Sequence, residues 1–277
     1  MIKLNGELSV FSRFPNNETK VGKILNSMIK NKAFFKYEDD QDLFNLMLLK
    51  KYLDANDNRF SRSELIISYM PYSRMDRSED DSPFTLKYVA DFINDLKFDK
   101  VTVVEPHSDV TPALLNNVKV KFVTPDLIDS VKKDVGFDDE NDCLMFPDAG
   151  ATKRYSVGEG VNVVYGNKKR DFKTGEITHF ELYGDVNAAG KKVIIVDDMS
   201  SFGGTFVKAA KALREQGFTE IYLLVAHAEN SIFAGSLFDN IDKIFTTDSL
   251  LTEQDHWQNK KFKSQLKIFS LEELLNV

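Results

Sequence analysis

Asp197 and Asp198 close an apolar run, Val193-Ile194-Ile195-Val196, and are followed by Met199, Ser200, Ser201, Phe202, Gly203, Gly204 and Thr205. Two adjacent carboxylates at the carboxyl end of a strand can accept hydrogen bonds from neighbouring hydroxyls of a ribose, and ligands of open α/β sheets bind at that edge. The glycines let backbone N–H groups close around phosphate oxygens, and a helix opening at Thr205 adds positive potential. The chemistry this suits is the holding of a phosphorylated sugar. Gly-Gly-Thr alone equally describes an ordinary strand–turn–helix connection, and the string is neither G-x-G-x-x-G nor G-x-x-x-x-G-K-[ST]. What is uncommon is the whole order of apolar strand, paired aspartates, small hydroxylated loop and glycine pair.

The elements that must position these residues follow a βαβ rhythm. Short β-branched runs at 65–69, 101–104, 192–196 and 221–225 alternate with helix-period segments such as 85–97, where Leu86, Val89, Ala90 and Ile93 share a face, and 205–215. That alternation predicts an α/β protein with parallel sheets. At 277 residues the chain is long enough for two domains. The boundary is expected near Thr124-Pro125-Asp126, because proline disfavours helix in the residue before it and a new helical pattern starts at 126. The domains are then 1–124 and 125–277. The tail 266–277 reads as a strand, then a helix capped by Ser270 with Glu272 and Glu273 in its first turn.

Composition narrows the setting. The chain carries 36 Lys+Arg against 43 Asp+Glu, a net charge of −7, which disfavours nonspecific binding to nucleic acid. Its one cysteine, Cys143, cannot close an internal disulfide, and the opening MIKLNGELSVFSRF has no basic stretch followed by an apolar one. With no apolar run near the roughly 18 residues of a membrane span, the expectation is a cytoplasmic protein without a membrane partner.

The 193–205 string resembles the 5-phosphoribosyl diphosphate signature shared by phosphoribosyltransferases and ribose-phosphate pyrophosphokinases. Five further segments resemble the pyrophosphokinases specifically, in the same order along the chain: Phe14-Pro15-Asn16-Asn17-Glu18 for the F-x-D-G-E adenine loop, Met70-Pro71-Tyr72-Ser73-Arg74-Met75-Asp76-Arg77 for P-Y-x-R-x-D-R, Val103-Val104-Glu105-Pro106-His107 for the strand bearing a metal-binding histidine, Phe146-Pro147-Asp148-Ala149-Gly150-Ala151 for S-P-D-x-G-G, and Lys168-Lys169-Arg170, between Gly166 and Gly175, for the catalytic flexible loop. Gly184-Asp185-Val186 then leads into the aspartate strand as it does there.

This resemblance implies two phosphoribosyltransferase-like (Rossmann-like) domains and transfer of the β,γ-diphosphate of ATP, with Mg²⁺, to the anomeric hydroxyl of ribose 5-phosphate, releasing AMP. It implies that Lys168 and Arg170 are catalytic, neutralising charge on the phosphates. Phe14, Asn16, Glu18, Arg74, Asp76 and His107 would bind ATP, with His107 and Asp148 as Mg²⁺ ligands. Asp197, Asp198, Ser200, Ser201, Phe202, Gly203, Gly204 and Thr205 would hold the ribose phosphate. Because the family's adenine loop reaches a neighbouring subunit's ATP site, a homodimer or hexamer is also implied. His227 matches a family histidine, with core packing an equal reading.

Departures from the family pattern matter as well. Ser201-Phe202 stands where the family has Asp-Thr, which removes a hydroxyl donor from the phosphate loop and adds a ring. ADP-ribose, whose 5-phosphate continues into a second group, therefore competes with ribose 5-phosphate as acceptor. Met75 and Asn16 replace a glutamine and an aspartate near the base, and Glu79-Asp80-Asp81 is acidic where the family is basic. Two other readings stay open: a non-catalytic, nucleotide-binding regulatory homologue, and a phosphoribosyltransferase.

Overall fold

The computed structural model describes residues 1–27, 29–56, 61–79, 81–155, 161–170, 177–184, 191–252 and 260–277. Two compact units emerge, Met1–Phe122 with Leu271–Val277, and Val123–Ser270.

The first unit is a sheet of six strands, β1 (Ile2–Leu4), β2 (Glu7–Leu8), β5 (Lys30–Phe35), β6 (Arg62–Ile67), β7 (Lys100–Val104) and β8 (Val118–Lys121), in the order β2-β1-β5-β6-β7-β8. The last four are parallel, whereas β1 runs antiparallel to both its neighbours. A separate hairpin pairs β3 (Phe11–Arg13) with β4 (Thr19–Val21). Helix α1 (Asp40–Asn56) buries Leu46, Leu49 and Leu53, and α2 (Thr85–Asp95) buries Leu86, Ala90 and Ile93, against Leu65, Ile67, Val101 and Val103 of the sheet. The face expected of α2 is the face it buries. A short α3 (Val110–Leu114) follows β7.

In the second unit β9 (Cys143–Phe146), β10 (Asn162–Arg170), β11 (Ile177–Tyr183), β12 (Lys192–Ser200), β13 (Glu220–Ala228), β14 (Lys243–Thr247) and β15 (Leu266–Phe269) lie in the order β11-β10-β9-β12-β13-β14-β15. Only β10 with β11 is antiparallel among the pairs described. Helix α6 (Gly204–Gln216) lays Ala209, Ala210 and Leu213 on Val193, Ile195, Leu223 and Val225. Helices α4 (Thr124–Val135), α5 (Ala149–Arg154), α7 (Leu237–Asn240) and α8 (Lys260–Lys263) complete this unit. Buried apolar strands flanked by amphipathic helices are how a parallel sheet removes both faces from water.

Three sequence expectations shift. The chain divides after Phe122 rather than Thr124, and α4 begins at Thr124 with Pro125 inside its first turn. A proline there gives up an N–H that has no intrahelical acceptor, so it starts the helix instead of delaying it. The last seven residues belong to the first unit and not to 125–277: Leu271 is fully buried, and Lys3 of β1 pairs with Glu272 at 2.6 Å. The strand expected at 65–69 spans Arg62–Ile67, and a parallel strand that was not expected, β5, precedes it. No helix among the described residues is long and apolar enough to cross a membrane.

Candidate active site

Strand β12 continues through both aspartates to Ser200, so the carboxylates sit on the sheet and not in the turn after it. Asp197 and Asp198 are 8% and 5% exposed, and the Asp198 N–H donates to Asp197 Oδ1 at 2.9 Å. Burial, then the charges of Asp198 and Asp148, holds the Asp197 carboxyl well above the usual carboxylate range. Two acids are thus set side by side at low exposure, an arrangement that gains when a polyhydroxyl ligand donates to them.

Behind them the chain turns through Gly203, the N-cap of α6, at φ 78°, a left-handed conformation. A Cβ on Gly203 would meet Leu237 Cδ1 at 2.7 Å, whereas one on Gly204 would meet nothing within 4 Å. Gly203 is therefore demanded by backbone and packing together. Gly204 borders open space at a helix N-terminus, where the first N–H groups lack intrahelical acceptors and suit an anion. The loop is braced from one side: Ser201 Oγ lies 3.1 Å from Ser231 Oγ, the Glu229 N–H donates to the Ser200 carbonyl at 2.8 Å, and a Cβ on Gly235 would strike the Phe202 carbonyl oxygen at 2.8 Å. Ser200 is buried, Thr205 half-buried, and the Phe202 side chain points outward, 61% exposed. Gly203→Ala should destabilise the protein by about 1–3 kcal/mol, from left-handed strain plus the Leu237 clash. Thermal unfolding of the purified variant measures this; an unchanged Tm would mean that the turn relaxes freely.

Asp148 follows β9 and caps α5, its Oδ1 accepting from the Ala151 N–H at 3.0 Å. At the other end of that helix Arg154 reaches Asp198, Nη1 to Oδ1 3.2 Å. Sequence reasoning passed over Arg154. The available signal was a basic residue six positions after the helix-capping acid, at the end of one short helix.

The segment carrying Lys168 and Arg170 was expected as a loop, but the backbone of both lies in β10, opposite Phe180 and Ile177 of β11. The β-formers of Ile177–Tyr183 supply the partner strand, and pairing with it holds even the Gly-Asn-Lys-Lys-Arg end of β10 extended. The side chains of Lys168 and Arg170, together with Gly175, Asp185 and Val186, fall outside the described residues. What anchors the hairpin is clear: Gly166 lies so close to the Pro147 carbonyl oxygen that an added Cβ would stand 2.9 Å from it. This contact ties the base of β10 to the residue before Asp148.

In the first unit the structure groups the other predicted residues at turns. Phe14, Asn16 and Glu18 form the tip of the β3–β4 hairpin. Asn16 Oδ1 accepts from the Glu18 N–H at 3.2 Å, and Lys20 Nζ sits 5.8 Å from the centroid of the exposed Phe14 ring. Asparagine thus fills the turn-holding role of the expected aspartate.

Arg74 is exposed and Asp76 half-buried, in the turn after β6, where Asp76 lies 3.8 Å from Arg77. Tyr72 holds that turn at φ 60°, its hydroxyl donating to Asp40 Oδ1 at 2.7 Å, as does that of Tyr37. His107 follows β7 and is half-buried, two residues past Glu105, which is buried at φ 43°. Left-handed backbone at two bulky residues costs energy and concentrates where a loop is held for use. Among the described residues no cluster of three or more His, Cys, Asp or Glu side chains forms a metal site. His227 is 2% exposed, with Nδ1 2.7 Å from Ser249 Oγ, a contact consistent with the core-packing reading.

A strand carrying paired acids near its carboxyl end, a left-handed glycine turn and a helix N-terminus give this α/β protein a site with the chemistry to hold a polyhydroxyl, anionic ligand. The model of the phosphoribosyl synthetase-associated domain family matches residues 171–271. A ribose-phosphate pyrophosphokinase of Vibrio parahaemolyticus is 31% identical over 220 residues, covering 74% of this chain and 67% of the relative. One from Sulfurisphaera tokodaii is 29% identical over 215 residues, covering 74% and 70%. The solved phosphoribosylpyrophosphate synthetase of Mycobacterium smegmatis shares the fold of two phosphoribosyltransferase-like domains, with a TM-score of 0.75 at 21% identity over 97% of this chain and 87% of that one. The chain belongs to the ribose-phosphate pyrophosphokinase family, and is a transferase of the diphosphokinase type.

Proposed function

We propose that the protein transfers the β,γ-diphosphate of ATP to the C1 hydroxyl of a 5-phosphorylated ribose, releasing AMP. The observation that carries this reading is the joining of Asp197 and Asp198 to the Gly203–Gly204 turn at the head of α6. The acids suit the ring hydroxyls, and the helix start suits the 5-phosphate, leaving the C1 hydroxyl to react. Its oxygen bonds to the β-phosphorus of ATP as the bond from that phosphorus to the α–β bridging oxygen breaks, the hydroxyl proton is released and AMP departs. Lys168 and Arg170 supply cations to the phosphates of the donor, and Phe14, Asn16, Glu18, Arg74, Asp76 and His107 bind ATP. The adenine-loop assignment of Phe14 to Glu18 also implies self-association as a homodimer or hexamer, without nucleic acid or membrane partners.

Mg²⁺ prefers oxygen ligands and keeps several waters, and the half-buried Asp148 carboxylate, with one oxygen bonded to the helix, is the kind of group it takes; the family resemblance adds His107 as a second ligand. When bound, the ion neutralises phosphate charge. The residues of this chain do the rest: they orient the sugar, hold the donor phosphates and keep the two anions in line.

Ribose 5-phosphate is the acceptor that the names of the relatives support. ADP-ribose is favoured by one observation, the Phe202 ring, which stands outward at the phosphate loop and offers a surface to whatever extends beyond the 5-phosphate. Incubation with ATP, Mg²⁺ and each sugar, with AMP measured, tests both. Release with ribose 5-phosphate supports the first acceptor, release with ADP-ribose alone the second, and none with either favours the non-catalytic homologue. Phe202→Thr should raise the kcat/KM ratio of ribose 5-phosphate to ADP-ribose about tenfold, the worth of one hydrogen bond to a charged group; an unchanged ratio removes the ring from acceptor choice.

A further inference from the structure

Asp198 is gripped by a residue that the transfer itself does not use. The Arg154 side chain is 14% exposed and that of Asp198 8%, with Nη1 3.2 Å from Oδ1, so the pair is largely out of water. At that depth an ion pair adds little net stability to a fold, but removing one partner strands the other. The guanidinium is confined as well: its carbon lies 5.6 Å from the centroid of the Tyr155 ring, and Tyr155 is itself 2% exposed, its N–H donating to the Ala151 carbonyl at 2.9 Å. The Arg154 guanidinium also bonds to Tyr155 and feels the charge of Asp197, with Asp198 the nearer acid. Its helix begins at the Asp148 cap, so a single six-residue element spans from one candidate acid to the other.

We infer that Arg154 is a positioning residue for the sugar acceptor, fixing the Asp198 carboxylate in the orientation that receives the ribose hydroxyls. This rests on the assignment of Asp197 and Asp198 to the ribose. Arg154 acts through Asp198 and does not touch the transferred group, so its loss falls on acceptor recognition before it falls on the donor. Misplacing a binding group by a fraction of an ångström is enough to weaken recognition by an order of magnitude or more.

The test is a set of four proteins, Arg154→Met, Arg154→Lys, Asp198→Asn and the Arg154→Met/Asp198→Asn double variant, assayed for AMP release with Tm measured alongside. Arg154→Met should raise the acceptor KM about tenfold or more while the ATP KM stays within twofold. Arg154→Lys, which keeps the cation, should recover most of that loss. In the Asp198→Asn background the methionine should change kcat/KM for the acceptor less than twofold, because two residues acting through one contact are not additive. An acceptor KM within twofold of wild type in Arg154→Met, equal rises in both KM values, or additive effects in the double variant each overturn the inference. Should Arg154→Met fail to fold, Arg154→Lys decides: a raised acceptor KM at wild-type Tm supports the role, and an unmoved one overturns it. Wild-type AMP release in the same assay shows that the functional reading stands whatever Arg154 does.

Discussion

Lys168→Ala is expected to lower kcat for AMP formation by about two to three orders of magnitude, with Tm unchanged and the acceptor KM shifted only a few fold. Donor and acceptor are both anions, and a transfer between them develops charge that a preorganised cation stabilises; removing one such group costs about 10²–10³ in rate. The backbone supports this place for Lys168. It lies in β10 two residues past Gly166, which touches the Pro147 carbonyl oxygen next to Asp148, and it is held by the ladder to Phe180. An alanine keeps that ladder, so the loss should fall on kcat and not on folding or on ground-state binding. A kinetic comparison at saturating ATP checks it. A kcat within threefold of wild type would place the hairpin cations outside the transfer step.

Much of this was legible from residue order. Strand-period runs and the Leu86, Val89, Ala90, Ile93 face announced a parallel α/β architecture, because burial on both sides of a sheet leaves only apolar residues in the strands. The glycine turn into α6 was legible too, and the structure gives Gly203 there a left-handed φ that other residues resist. The limits were equally physical. Whether Asp197 ends a strand or lies within it depends on ladder partners in β13, which no local propensity encodes. The return of Leu271–Val277 to the first unit rests on a fully buried leucine and on Lys3 meeting Glu272, residues 269 positions apart. Arg154 escaped for the same reason: its meaning comes from Asp198, 44 positions on, and a lone arginine at the end of a short helix ordinarily reads as a complement to the helix dipole. Lys168 shows the converse error, in which a basic run beside glycines suggested a loop although the pairing of β10 with β11 makes it a strand.

Asp197→Asn should stabilise the second unit at neutral pH and cost a hundredfold or more in kcat/KM for the sugar. The Asp197 carboxyl titrates well above its ordinary value because it is buried, with Asp198 and then Asp148 adding negative charge. In the unfolded chain the same group titrates near 3.9. Below that pH both states hold the proton and no penalty exists. As pH rises through it the unfolded chain releases its proton first while the native protein keeps it, so stability falls with pH until the raised native value is passed. Asparagine has no proton to lose and removes this slope. The variant's Tm should therefore exceed that of wild type at pH 7, by about 2–4 °C for each kcal/mol relieved in a domain of this size, and the gap should close as the pH approaches 4. Activity moves the other way, because the amide puts an N–H₂ donor where a carboxyl oxygen could accept from a ribose hydroxyl. Stability given up at a binding site is a common trade against function. Melting curves of both proteins across pH 4–8, beside their AMP-release kinetics, measure the two effects together, and a Tm gap that stays constant across that range would separate the acid's burial from its ionisation.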